Sequence, residues 1–323
     1  TRNVETFKET ITHIITREAM VYCQYQINTT AGSRYRQYLN DRNVSDELIS
    51  RFGIGYNPDN ESLYRFLQRK GYKDEDIITA NLARLTPAGM RDVFYDRIMI
   101  PIMDDQGHPI GFTARTLDPD NNSKYINTAD TPIFHKSDVV YNLHRARDAA
   151  REKHFIIMAE GPMDVMAFDR AGISNAVCSM GTACTVSQLQ LIKGLTKTVM
   201  LAYDGDQAGQ NAIYKTGKLA RGEGLEVTVL NNSTDFDPDE IINKYGEQML
   251  KSMVDSHKTW MEFVMDYFRR QYDLNNYTGR KAFAGKVMEE INALTDQFDK
   301  TNYLNQLASL TGFSINALAP GSN

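Results

Sequence analysis

Between residues 137 and 250, short apolar runs alternate with helix-like stretches, and this alternation limits the fold more than any other feature of the 323-residue chain. Runs near 154–159, 175–179, 198–203 and 226–230 read as strands, and stretches near 162–171, 185–194 and 207–221 read as helices. Strands separated by helices in this way form parallel βαβ units, with the helices covering the sheet. Ligands of such sheets sit beyond the carboxyl ends of the strands. Three of the four runs deliver carboxylates there: Glu160 and Asp164, then Asp204 and Asp206, then, past an Asn/Ser loop, Asp237 and Asp239.

Six carboxylates sharing a pocket repel one another and raise one another's pKa values. A hard divalent cation relieves that repulsion, and Mg²⁺ takes carboxylate, water and phosphate oxygens as ligands. Two such ions, roughly 3.5–4 Å apart, stabilise the attacking and leaving oxygens of an in-line displacement. A turn at Gly205 lets Asp204 and Asp206 face one ion. Taken singly, an Asp-x-Asp is more often a turn or a helix cap, and Asp239 can serve as one. The joint occurrence after three strands of one βαβ array points instead to phosphoryl-transfer chemistry. An EF-hand at 204 is excluded, because its fifth and twelfth positions are Ala208 and Lys215. The chain has no Walker P-loop and no GxGxxG.

The flanking segments read differently. Val4, Phe7, Ile11, Ile14 and Ile15 keep helical spacing, Tyr35, Tyr38 and Leu39 continue in a second helix, and Ser45 caps a third that ends near Gly53. A fourth helix covers 62–70. Residues 97–103 and 109–116 form a hairpin around the turn at 104–107. From 251 onward only helices are expected, with Trp260, Phe263, Val264, Tyr267 and Phe268 as one apolar stripe and Tyr303, Leu304, Leu307 and Leu310 as another. Ser314 starts a last short helix. The expectation is an α/β protein: an α+β unit over 1–136, a parallel sheet flanked by helices over 137–250, and a small helical bundle over 251–323.

Composition excludes several classes. Net charge is −5, and the acidic excess lies between 137 and 250, with 11 basic against 15 acidic residues, so a polyanion would need a local basic patch. No apolar run approaches the roughly 20 residues that span a bilayer. Cys23, Cys178 and Cys184 give no disulfide framework, and the six histidines show no metal spacing, so no zinc is expected. With no secretory signal, the expected setting is the cytoplasm.

Glu160 and Asp204-Gly205-Asp206 resemble the acidic motifs of the toprim domain, and Ser179-Met180-Gly181-Thr182 is similar to its Gly-containing turn. The segments 51–58, 96–102, 111–115, 124–127, 133–136 and 203–209 resemble, in order, the catalytic core of bacterial DnaG-type primases, with Pro162 departing from the usual aromatic residue. The resemblance implies a DNA-directed RNA polymerase that makes short primers on single-stranded DNA from NTPs, leaving an RNA–DNA hybrid. It implies Glu160, Asp204 and Asp206 on a principal Mg²⁺, with Mn²⁺ able to substitute, Asp237 and Asp239 toward a second ion, and Asp164 as a supporting group or weak ligand. Glu160 acting as general acid/base is the alternative. The resemblance also places Arg51, Arg97, Arg115, Lys124 and Lys136 along a groove, with Asn127 as a polar partner. Tyr125 either stacks on a base or packs, and Gly181 with Thr182 lets backbone approach phosphate. It further implies a monomer, with helicase contact only through a C-terminal domain absent here and no zinc-binding domain. The rival readings are a toprim nuclease or topoisomerase fragment, or a binding module without activity.

Overall fold

The computed structural model describes residues 7–181 and 183–319. Val4, and with it the start of the first predicted stripe, lies outside the described residues. The first unit consists of α1 (Ile11–Ile27), α2 (Ser33–Asp41), α3 (Asp46–Arg51), β1 (Gly55–Asn57), α4 (Ser62–Arg69), α5 (Asp74–Thr79), β2 (Ala83–Thr86), β3 (Gly89–Asp92), β4 (Arg97–Met103), β5 (Pro109–Thr116) and β6 (Tyr125–Asn127). There follow α6 (Leu143–Lys153), β7 (Phe155–Ala159), α7 (Pro162–Arg170), β8 (Ala176–Cys178), α8 (Val186–Lys193), β9 (Thr198–Ala202), α9 (Gln207–Gly222) and β10 (Glu226–Val229). The chain continues through α10 (Pro238–Tyr245), α11 (Glu247–Asp255), β11 (Lys258–Thr259), α12 (Trp260–Arg269), α13 (Tyr277–Asn292), α14 (Gln297–Thr311) and α15 (Ile315–Leu318).

Two sheets organise the molecule. The first is antiparallel, in the order β1-β4-β5-β6, and β2 and β3 form a separate two-stranded ribbon. The second has the order β11-β10-β9-β7-β8 and is parallel except for β11. The two-residue β11 corrects the expectation of helices alone after 251: Thr259 and Lys258 pair with Thr228 and Val229. At the opposite margin, a single bridge from Tyr141 covers β8 at Cys178.

Alternation along the strands decides the layers. Ile156 and Met158 face a core shared with α9, α12 and α13, while Ile157 and Ala159 face a second core shared with α7 and α10. That second core also takes in Ile98, Ile100 and Ile102 of β4, so the two sheets bury apolar faces into one cluster. Met99 and Phe112 point the other way, into a third core with α1 and α4.

Local chemistry sets the helix starts. Ser45 accepts the Leu48 N–H, and Ser314 accepts the Ala317 N–H. Pro162 takes the first position of α7, where its missing N–H costs nothing and its ring is buried. At the junction with the helical bundle, a Cβ on Gly217 of α9 would lie 2.1 Å from Trp260. The buried Glu290 ties this contact, accepting from Tyr214 (2.9 Å) and Lys218 (2.9 Å).

Candidate active site

The carboxyl ends of β7, β9 and β10 are neighbours in the sheet, so the loops that follow them converge. Glu160 follows β7, and its Oε1 accepts the Asp204 N–H at 3.3 Å. Asp164 lies in the first turn of α7, where Oδ2 accepts the Gly161 N–H (3.2 Å) and Oδ1 the Asp239 N–H (3.4 Å). Asp206 caps α9 through Gly209 N–H (2.7 Å), and Asp237 caps α10 through Glu240 N–H (2.6 Å). Gly205 is required by close approach: a Cβ there would stand 1.7 Å from the Thr234 carbonyl. The loops after β9 and β10 touch at that point, which brings Asp204 beside Asp237.

These carboxylates strain against one another. Burial is the largest cause raising Asp204 to about 7, with the charges of Glu160, Asp237 and Asp206 adding to it. Burial likewise leads in raising Glu160, Asp164 and Asp237, and neighbouring carboxylates add to each. Among the described residues, no group of three His, Cys, Asp or Glu side chains is gathered, as placed, into a metal site. The donor chemistry nevertheless fits a hard divalent cation, because buried oxygens in mutual repulsion are the groups such an ion neutralises.

Glu160, Asp164, Asp204, Asp237 and Asp239 line one side of a cavity of about 270 Å³. From the antiparallel sheet, β5, β6 and the loop between them bring Arg115, Lys124, Tyr125 and Asn127 to the same cavity, and Arg42, the residue that caps α2, joins them beside Asp239. Arg115 donates to the Tyr125 hydroxyl at 2.9 Å and lies over the Tyr38 and Tyr125 rings. Asn127 donates to the Met180 carbonyl at 3.0 Å, which joins β6 to the turn carrying Gly181. That glycine has φ +73°, a conformation L side chains resist. Thr182 lies outside the described residues. Arg115 and Lys124 also border a second cavity of about 650 Å³, lined as well by Arg34, Tyr38, Asp41 and Asp118.

Five predicted groove or ligand residues stand outside the cavity or are already engaged. Arg51 is on α3, paired with Glu47 and Asp169, away from the cavity. Arg97 is buried, and its guanidinium donates to the carbonyls of Ala114, Ser123 and Lys124, so its partners are backbone rather than an open groove. Lys136 lies outside the cavity lining, in a loop whose backbone bonds Asp130 and Gln188. Asp239 borders the cavity, but both of its oxygens are engaged, by Arg42 (2.5 Å) and by Asn243 (3.2 Å). Asp206 is exposed at the head of α9 and does not line the cavity. Arg42 escaped the sequence reading, because nothing local distinguishes it from the other surface arginines of α2.

Comparison with known proteins bears on this site. Residues 22–147 match the family model described as DNA primase catalytic core, N-terminal domain, and residues 157–242 match the Toprim-like model. Residues 261–316 match the model described as the DnaB-helicase binding domain of primase. This last match corrects the expectation that any helicase-contacting segment lies outside the chain. The DNA primases of Listeria innocua and Lactococcus lactis are each 35% identical, over 97% and 94% of this chain. The chain spans 50% and 48% of their lengths, about half of each. The RNA polymerase domain of Mycobacterium tuberculosis primase DnaG, solved with a double-stranded DNA bearing a 6-nucleotide overhang, superposes with TM-score 0.83 at 28% identity, covering 95% of this chain and 99% of that one. A DnaG primase catalytic domain bound to ssDNA gives TM-score 0.79 at 28% identity, covering 95% and 98%. With matches running in order along its length, and with carboxylates at the strand ends of a toprim sheet, the chain belongs to the DnaG-type DNA primase family.

Proposed function

We propose that this chain polymerises ribonucleotides on a single-stranded DNA template to make short primers. The observation that carries the reading is the cavity itself, with carboxylates of the parallel sheet on one side and arginine, lysine and tyrosine of the antiparallel sheet on the other. A ribose 3′-hydroxyl attacks the α-phosphate of an incoming NTP, and pyrophosphate leaves. Glu160, Asp204 and Asp237 are the residues to hold a divalent cation, with Asp206 at the rim. Bound there, Mg²⁺ or Mn²⁺ would supply charge stabilisation to the transferring phosphate.

The remaining work falls to the chain. Arg115 and Lys124 bind phosphate oxygens, and Arg115 has a buried Nε with no protein partner to offer. Tyr125 presents a ring for base stacking, and the Arg115 guanidinium fixes it. Glu160, with one oxygen on the Asp204 N–H, keeps the other for an ion or for the hydroxyl proton. Positioning and charge neutralisation dominate in such transfers. This reading divides the chain at 136 and 250 into a basic unit, a carboxylate-bearing unit and a helical unit. It places the protein in the bacterial cytoplasm, acting as a monomer, and residues 261–316 are the segment to test for contact with a replicative helicase. No helix among the described residues is long and apolar enough to cross a membrane.

The test is ribonucleotide incorporation on single-stranded DNA with Mg²⁺ or Mn²⁺. Template-dependent RNA should form and should disappear in Asp204→Ala. Metal-dependent cleavage of the DNA without RNA synthesis would replace this reading with a toprim nuclease.

A further inference from the structure

The geometry points to Asp239 as a positioning residue that clamps Arg42 into the substrate cavity, rather than as a metal ligand. The inference rests on the polymerase reading for what Arg42 touches, but the clamp itself is a matter of contacts. Asp239 is 1% exposed, and its oxygens are met from two sides. Arg42 Nη2 stands 2.5 Å from Oδ2, while Asn243 Nδ2 donates to Oδ1 at 3.2 Å and Arg170 Nη1 is 3.7 Å from it. Arg42 belongs to the end of α2, and Arg170 and Asn243 to α7 and α10, so the contact spans the two sheet units. Arg170 also donates to the Arg42 carbonyl (3.4 Å) and to Asn243 Oδ1 (3.0 Å), and Asn43 joins the same amide oxygen at 3.1 Å.

A carboxylate tied to a guanidinium in this way has little left to give an ion, because each oxygen already accepts a charged or amide N–H. Its neighbours differ: Glu160, Asp164, Asp204 and Asp237 have no basic side chain within ion-pair distance among the described residues. Arg42, held through Nη2 by Asp239 and through Nη1 by the Tyr38 hydroxyl (3.2 Å), lines the cavity with Nε buried and without a protein partner. An anionic oxygen is the group that donor fits. The third acidic motif is thus divided in labour, with Asp237 facing the carboxylate cluster and Asp239 anchoring a cation at its edge.

Asp239→Asn, Arg42→Gln, the double variant and Asp204→Asn would be compared in the full chain for Mn²⁺ binding by EPR and for single-stranded DNA affinity by anisotropy. Asp239→Asn should bind Mn²⁺ within about twofold of the parent while losing about ten- to hundredfold in DNA affinity. Arg42→Gln should match it, and the double variant should lose no more than either alone. Loss of Mn²⁺ binding in Asp239→Asn, as in Asp204→Asn, would overturn the clamp, and so would additive losses in the double variant. If the parent binds no single-stranded DNA, it is the polymerase reading that fails. The clamp is then judged by Mn²⁺ binding and by the same cycle in thermal unfolding, where non-additivity supports it and additivity overturns it. Should Asp239→Asn not fold, Arg42→Gln, altered at a partly exposed side chain, carries the same comparison.

Discussion

Replacing Asp204 by asparagine should stabilise the metal-free protein. Burial leads the causes that raise its carboxyl from 3.8 to about 7, and the charges of Glu160, Asp237, Asp206 and Glu240 complete the effect. Between those two values the folded state keeps a proton that the unfolded chain has released. Stability is therefore undiminished below 3.8, falls as pH rises toward about 7, and stays reduced above that. A displacement of this size corresponds to about 4 kcal/mol, and solvent around a half-buried carboxyl lowers it to about 2 kcal/mol. Asparagine does not ionise, and the hydrogen bonds found at residue 204 use its backbone N–H and carbonyl, which the substitution leaves in place. Asp204→Asn should exceed the parent by about 2 kcal/mol at pH 8 and by less than half of that at pH 5. Urea unfolding in EDTA at both pH values measures this. Equal or lower stability of the variant at pH 8, or an undiminished gain at pH 5, would refute the electrostatic account of the cavity.

Other perturbations follow from the same contacts. Gly217→Ala gains about 1 kcal/mol of helix propensity, but its methyl would enter the Trp260 ring, 2.1 Å away. Overpacking of about 1–3 kcal/mol should prevail, lowering the urea midpoint; an unchanged midpoint would show that Trp260 moves freely. Asp92 is fully buried and accepts from Leu63 N–H (3.0 Å), Tyr64 N–H (2.8 Å) and Asn57 (3.1 Å), so Asp92→Ala should cost about 1–3 kcal/mol and fray α4 in hydrogen exchange. Arg115→Ala should weaken binding of single-stranded DNA and flatten the salt dependence by about 0.7 in the log–log slope. An unchanged slope would take Arg115 off the phosphate path.

Much of this was legible from local pattern. The runs at 154–159 and 198–203 are apolar on both faces, as strands buried between two helical layers must be, and the carboxylates follow directly. Capping gave Ser45 and Ser314, whose hydroxyls need no distant partner. Five further elements left no comparable trace. In α6 only Leu143, Ala146 and Ala150 are buried, a stripe too small to stand out among six charged residues and a histidine. The β2–β3 ribbon carries Arg84, Leu85 and Arg91 on partly solvated faces, and β6 and β11 have three and two residues. In the site, the carboxylates were readable because strand ends announce them. Arg42 was not, because its partner Asp239 is 197 residues away. Arg97 had the expected burial but found its partners in carbonyls, which a sequence does not display.

The margins of the five-stranded sheet have a consequence for how the protein behaves in a crowd of its own kind. One margin ends in two residues of β11, and the other is met by a single rung from Tyr141. A sheet that ended at β10 or β8 would offer several unpaired rungs to any neighbouring chain. Here an approaching strand would find at most a rung or two. Resistance to edge-to-edge association is thus supplied by two residues at one end and one at the other. Lengthening β11 with β-branched residues should be enough to make the protein self-associate as its concentration rises.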